Sequence, residues 1–294
     1  MRPVVSMSSS VSIPRRSTEP RSYTVASHAL VEARAATIDA LRDPQPLPAA
    51  PVLPARFLRH CDEQTVVGMH AVLRAAAAHP PVGGFAGHGV VAASCQQGRI
   101  TAARSLVRLR DEGPATVSTQ IVPQASLHSI AGAVSVGLGM HGPHLGVSGG
   151  PDALPEGIVA AISLLEGCGD DLPGVWVIVS EWMDEPALAA DGSLQGDPVC
   201  RALALSLTAA DLDAALPLPT LSFRMPRRPQ VAAFDGDQEP PRLEDFARAL
   251  TLCAAGTAIV SWAFPSPWGG EVRVGVRPAA VRGLASGPGL REAA

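Results

Sequence analysis

The sequence predicts an α/β protein, and three observations carry that prediction. The first is composition. Of 294 residues, 47% are apolar, 17% charged and 4% aromatic, a soluble α/β balance rich in Ala, Val, Leu and Gly. The second is the continuous apolar run Val175 to Val179 after Gly174, the mark of a strand buried in a parallel sheet. The third is Ser126 to Cys168, in which helix, strand, sharp turn and helix follow one another. Leu127, Ile130, Ala131, Val134 and Leu138 recur at helical spacing, and Gly139 is placed to end that helix. His144 to Ser148 reads as a short strand introduced by Gly142-Pro143. After the turn Gly149-Gly150-Pro151-Asp152, Ile158, Ala161, Ile162 and Leu165 define a second helix. Many α/β enzymes place a nucleophile at such a junction, because a helix N-terminus favours developing negative charge.

The remaining elements follow in order. Residues 1 to about 22 are Ser/Arg/Pro-rich without an apolar h-region, so they read as a disordered lead or as the product of an upstream start codon. Val25 to Leu41 has weak helical character. Pro44 to Pro54, with prolines at 44, 46, 48, 51 and 54, reads as a linker. Asp62 can cap a helix whose core face carries Val66, His70, Leu73 and Ala77. Gly89 to Ser94 is a short apolar strand, and Arg99 to Glu112 a helix ended by Gly113-Pro114. Asp184 to Pro198 reads as a loop, and Cys200 to Thr208 as a strand. Pro217 to Pro241 is broken by prolines and reads as mostly irregular. Leu243 to Ala254 is a helix with Glu244 and Asp245 at its positive end. Thr257 to Phe264 and Glu271 to Arg277 read as two strands, and the tail from Ala279 as small and polar.

Composition also excludes function classes. A net charge of −4 provides no electrostatic footprint for nucleic acid. All 23 basic residues are arginine. The five cysteines, Cys61, Cys95, Cys168, Cys200 and Cys253, are odd in number and lack zinc-type spacing, so they read as reduced thiols of a cytoplasmic protein. No membrane insertion and no cofactor is expected.

The central stretch resembles the β-ketoacyl synthases of the thiolase-like superfamily. There an "AGxVSIxxGLxGPS" helix precedes a "VxVDTAC" strand that delivers the catalytic cysteine. Ala131 to Gly137 and Gly139 to His144 match the first pattern. Arg56 to Ala77 is similar to the family's "RRMDRFxQLALxAAxEAL" helix, and Val117 to Pro123 to its "VSPxxVP" lead-in. The resemblance runs from Arg56 to Glu181. Counted from Gly142-Pro143, the cysteine position falls on Pro151, which has no nucleophile.

A ketosynthase needs a thiolate to hold the acyl chain and polar groups, usually two downstream histidines, to stabilise the enolate. His28, His60, His70, His79, His88, His128, His141 and His144 all precede the turn. The family's downstream lysine has no counterpart here. Gly146-Val147-Ser148-Gly149-Gly150 also satisfies G-x-S-x-G, the nucleophile elbow of serine hydrolases. No histidine follows Ser148 to complete a triad, and Asp191 is the candidate partner for a dyad. The alternative reading makes Ser148 a structural replacement for the strand's aspartate. His141 and His144, three apart with no third ligand, read as loop histidines rather than a metal pair. Cys168 reads as a structural thiol, and Trp176 and Trp182 as core.

The expected fold is therefore α/β and thiolase-like, the first half of a ketosynthase fold with a truncated second half. The expected divisions are a lead over 1–22, a ketosynthase-like domain over 23–210, a C-terminal extension over 211–278 and a tail over 279–294. The resemblance implies a non-catalytic partner or scaffold subunit in fatty-acid, polyene or polyketide biosynthesis, similar to a chain-length factor. It implies an intact ketosynthase and an acyl carrier protein as partners, and a homo- or heterodimer formed through His144, Leu145, Gly146, Val147 and Ser148. A serine hydrolase or acyltransferase using Ser148 is the alternative.

Overall fold

A computed structural model describes residues 21–81, 83–147, 150–209, 218–224, 242–256, 259–265 and 271–277. Its framework is one eight-stranded mixed sheet. In chain order the strands are β1 (Arg21–Arg34), β2 (Gly89–Ser94), β3 (His144–Val147), β4 (Val175–Trp182), the two-residue β5 (Ala187–Leu188) and β6 (Leu194–Gln195), β7 (Val199–Ala209), β8 (Thr220–Arg224), β9 (Val260–Pro265) and β10 (Glu271–Arg277). The sheet runs β3-β2-β4-β7-β1-β8-β10-β9, while β5 and β6 form a separate hairpin. β2 lies parallel to both β3 and β4, and every remaining pairing is antiparallel.

Helices cover both faces. On one face lie α1 (Glu63–Ala78) and α4 (Ser129–Leu138). They bury Val66, Met69, Val72, Ile130 and Val134 against Val90, Ala92, Trp176, Ile178, Ala202 and Ala204. On the other face lie α5 (Ala153–Cys168) and α6 (Leu243–Ala254). Their Ile158, Ala161, Phe246 and Leu250 meet Val91, Ala93, Val177, Val179, Leu203, Leu205 and Val274. The alternation of β2, β4 and β7 residues between these two cores is the period of two that a central strand buried on both sides must show. Trp176 and Trp182 are both core residues.

Several helix boundaries follow from caps legible in the chain. Asp62 Oδ1 accepts from Thr65 N at 3.2 Å to start α1. α2 (Arg99–Glu112) ends at Gly113, the one-turn α3 (Ile121–Ala125) precedes α4, and α4 closes on Gly139 at φ 65°. That left-handed conformation suits glycine.

Three segments differ from expectation, the first being Asp184 to Pro198, where the expected loop carries the short β5–β6 hairpin. Val25 to Leu41 is not a single weak helix: Val25 to Arg34 belong to β1, and only Ala35 onward is helical, as a 3-10 helix over Ala35–Arg42. β1 pairs with β7 along eleven registered positions, Tyr23↔Ala209 to Arg34↔Val199, and with β8 on its other side. Two ladders outweigh the weak helix preference of its alanines. Within the irregular stretch Pro217 to Pro241, Thr220–Arg224 is β8, because its backbone is sandwiched between β1 and β10. The rest of that stretch, 225–241, lies outside the described residues, as do the tail from 279 and residues 1–20.

One buried charge ties several elements together. Arg201 of β7 is 3% exposed and faces Glu32 at 2.7 Å, Glu244 at 3.0 Å and Glu181 at 3.9 Å. These carboxylates come from β1, α6 and β4, so one guanidinium links four elements. A guanidinium this deep must be matched by carboxylates to survive desolvation, and here they reach it from the partly exposed rim.

Candidate functional site

The parallel ladders of β2 with β3 and with β4 end close together, at Ala93↔Val147 and Ser94↔Ser180. In open α/β sheets the crevice beyond such carboxyl ends is where ligands bind. From this edge the chain passes from β3 through the turn into α5. Ser148 and Gly149 lie outside the described residues. Pro151 is exposed, and Asp152 is the N-cap of α5. The Asp152 side chain makes no capping hydrogen bond. Its carbonyl accepts from Glu156 N at 3.1 Å.

The first turn of α5 is poorly suited to hold an anion. Pro155 carries no N–H, so the turn offers one donor fewer, and Glu156 adds negative charge where the helix dipole is positive. Both features oppose a thiolate or an oxyanion at this end.

Two glycines set the packing around the turn. A Cβ on Gly146 would collide with the carbonyl of Leu127 and come within 2.7 Å of His128 N. A Cβ on Gly157 would stand 2.8 Å from the Ala93 side chain. Gly146, the first glycine of the G-x-S-x-G match, thus lets β3 touch the start of α4, and Gly157 lets α5 lie on β2.

Over the ends of β2 and β4 the N-terminus of α1 closes a buried polar network that sequence reasoning missed. Ser180 Oγ donates to Ser94 Oγ at 2.9 Å. Gln64 Nε2 donates to Cys95 O at 2.8 Å and to Ser180 Oγ at 3.2 Å. Asp62 also accepts from Gln97 Nε2 at 2.7 Å and from the Thr65 hydroxyl. Complete burial pushes the Asp62 carboxyl up to about 6, against the pull of its Thr65 hydrogen bonds. Only the Asp62 cap had a local signal; its link to Gln97 spans 35 positions.

Burial disfavours the thiolate at four of the five cysteines. Cys95 follows β2 at the same edge, but burial and then Glu181 and Glu185 push its thiol up. Burial raises Cys61 to about 11 and also raises Cys200 and Cys253. Cys168 closes the sixteen-residue α5, roughly 22 Å along the helix axis from its first turn.

The histidines distribute differently from their spacing. His144 does not pair with His141, whose backbone N donates to Ala86 O at 2.8 Å. Instead His144 Nδ1 stands 3.0 Å from His128 Nε2, and both rings are exposed. Desolvation, then the neighbouring His144, holds the His128 ring below the usual imidazole range. His28 Nε2 lies 3.1 Å from Thr251 Oγ1, and His70 Nε2 2.7 Å from Leu41 O. Asp191, the candidate dyad partner, accepts from Ser193 N at 2.9 Å and Ser193 Oγ at 2.6 Å within the β5–β6 loop. Those bonds hold its carboxyl below the usual range. Among the described residues no three metal-ligating side chains converge, and no helix is long and apolar enough to cross a membrane.

No family model matches the chain, and neither does any curated protein. Solved structures do. A type II polyketide synthase acyl-carrier protein in complex with its ketosynthase bound to the hexaketide aligns with a TM-score of 0.57 at 13% identity. That alignment covers 88% of this chain and 99% of the other. The ishigamide ketosynthase/chain length factor aligns with a TM-score of 0.52 at 15% identity, over 87% of this chain and 99% of the other. At these identities the likeness is one of fold. The chain has the α/β, thiolase-like fold of these ketosynthase and chain-length-factor structures.

Proposed function

We propose that the chain is a non-catalytic ketosynthase-like subunit that docks through β3 on an intact ketosynthase, in an assembly that builds fatty-acid, polyene or polyketide chains on an acyl carrier protein. The observation that carries this reading is the position of β3. It is the terminal strand of the sheet and hydrogen-bonds to β2 alone among the described strands. Its other side presents a row of backbone donors and acceptors, the edge that invites strand pairing. Leu145 on the strand is 39% exposed and Leu127 beside it 36%, so apolar surface adjoins the free edge. His144, Leu145, Gly146, Val147 and Ser148 are the proposed contact segment.

The non-catalytic part rests on the turn. By resemblance Pro151 stands where the family carries its cysteine, and the first turn of α5 lacks a donor and bears Glu156. No side chain of this turn combines a nucleophile with a histidine that follows it in the chain. The likeness to ketosynthase and chain-length-factor structures supports a partner of ketosynthase type. Such an interface should bury more than ~1,000 Å² in total.

The test is light scattering on the purified chain, alone and co-expressed with a ketosynthase from the same source. A complex that Val147→Pro disrupts, with the variant's circular dichroism retained, is the expected result, since proline removes a ladder donor. A chain that stays monomeric under both conditions would refute the partner and the interface together. A homodimer sensitive to Val147→Pro would keep the interface and refute the ketosynthase partner.

A further inference from the structure

The approach of His128 to His144 has no role in the fold's core, and although His144 begins the proposed contact segment, its ring faces His128 rather than the free edge of β3. His128 is the residue at the entrance of α4, and His144 is the first residue of β3. They are sixteen positions apart, yet Nδ1 of His144 and Nε2 of His128 face each other at 3.0 Å. Their ring centroids are 4.9 Å apart and their planes 33° apart. Two imidazolium rings cannot meet in this way, because each facing nitrogen would be a donor; at least one ring is neutral and offers a lone pair.

The spacing has a second chemical meaning. Imidazole nitrogens bind zinc at about 2.0–2.1 Å, so two of them on neighbouring positions of one ion stand about 2.9–3.4 Å apart. The observed separation falls in that range. Small rotations of two exposed rings would turn a shared proton into a shared cation.

The backbones that carry the rings are fixed. Gly132 N donates to His128 O at 2.9 Å, and Val90 N donates to Pro143 O at 2.8 Å. His144 sits in register with Val90 of β2. Gly146 allows β3 to lie so close to Leu127 and His128 that a Cβ there would meet backbone atoms. The pair is therefore preorganised, which reduces the ordering cost of chelation.

We propose that His128 and His144 form a two-histidine half-site for a divalent transition metal, with its remaining positions open to water or to an exogenous ligand. The imidazole donor set selects zinc, nickel or copper. Magnesium and calcium, which prefer oxygen ligands, should bind weakly or not at all. The pair lies on the sheet face that carries α4, so binding to the isolated chain neither requires nor forbids pairing along the β3 edge.

Calorimetric titration of the metal-free full-length chain with Zn²⁺, Ni²⁺ and Mg²⁺ tests the proposal. The wild type and His141→Ala should bind one equivalent of Zn²⁺ or Ni²⁺ alike, and neither should bind Mg²⁺. Loss of an outer-shell partner already costs a metal site about 10–100-fold, so His128→Ala and His144→Ala should each weaken binding at least about tenfold. Paramagnetic resonance of the Cu²⁺-loaded chain should show two nitrogen ligands in the wild type and one in each variant. Both rings are exposed, so the variants should keep the wild-type circular dichroism. Failure of the wild type to bind, or equal binding by all four proteins, would overturn the site.

Discussion

Replacing Asp62 by asparagine should remove a specific part of the protein's pH dependence. Asp62 is 1% exposed at the N-terminus of α1, directly over the ends of β2 and β4. In the fold its carboxyl ionises near 6, against 3.8 for the ordinary group, and desolvation is the main cause. Between those two values the folded chain keeps a proton that the unfolded chain has lost. The contribution to stability is thus fully present below about pH 4 and is lost as pH rises through about 6. A difference of about two pH units corresponds to ~3 kcal/mol, or more than a hundredfold in the unfolding equilibrium. The amide introduced by Asp62→Asn would still accept from Thr65 N but cannot ionise. Urea unfolding of wild type and Asp62→Asn from pH 4 to 7.5 measures the effect. The stability difference, wild type minus variant, should fall by about 3 kcal/mol across that range. Other groups that burial shifts, His28 and His88 downward and Glu181 upward, are common to both proteins and cancel. Parallel curves, or a wild type that gains on the variant as pH rises, would refute the assignment of a desolvated carboxyl.

Two further perturbations follow from the turn and its packing. Incubation with a malonyl-thioester or a fluorophosphonate should leave the intact mass unchanged, because Pro151 offers no nucleophile and Ser148 has no following histidine; a fluorophosphonate adduct lost in Ser148→Ala would instead make this chain a hydrolase. Gly146→Ala should destabilise the chain by about 1–3 kcal/mol in denaturant titration, as expected when an added methyl forces backbone apart, and should weaken Zn²⁺ binding by separating His128 from His144. A variant as stable as wild type would show that β3 and the start of α4 are not in that contact.

Much of the fold was legible in the chain. Arg99–Glu112 and Leu243–Ala254 were readable end to end. Asp62, Gly113 and Gly139 act on groups within a few residues of themselves, so caps and the 3.6-residue period suffice to place these elements. β2, β4 and β7 were readable as short apolar runs bounded by breakers. β1 was not, since its alanines suit a helix and only its pairing on both sides makes it a strand. The same limit applied to the site. The G-x-S-x-G spelling at Gly146 to Gly150 pointed to a nucleophile elbow, whereas Gly146 is required by the closeness of Leu127, nineteen positions earlier.

The sequence by itself determined the α/β class, the helices that cap themselves and the order of the turn residues after β3. These depend on interactions spanning one helical turn or one strand, which are written into neighbouring residues. Only the tertiary structure decided which strand became the sheet edge, that Arg201 would gather Glu32, Glu181 and Glu244, and that His144 would face His128 rather than His141. Those outcomes join residues 16 to 169 positions apart. At such separations local propensity carries no information, and the partner is chosen by which faces the sheet and its helices must bury together.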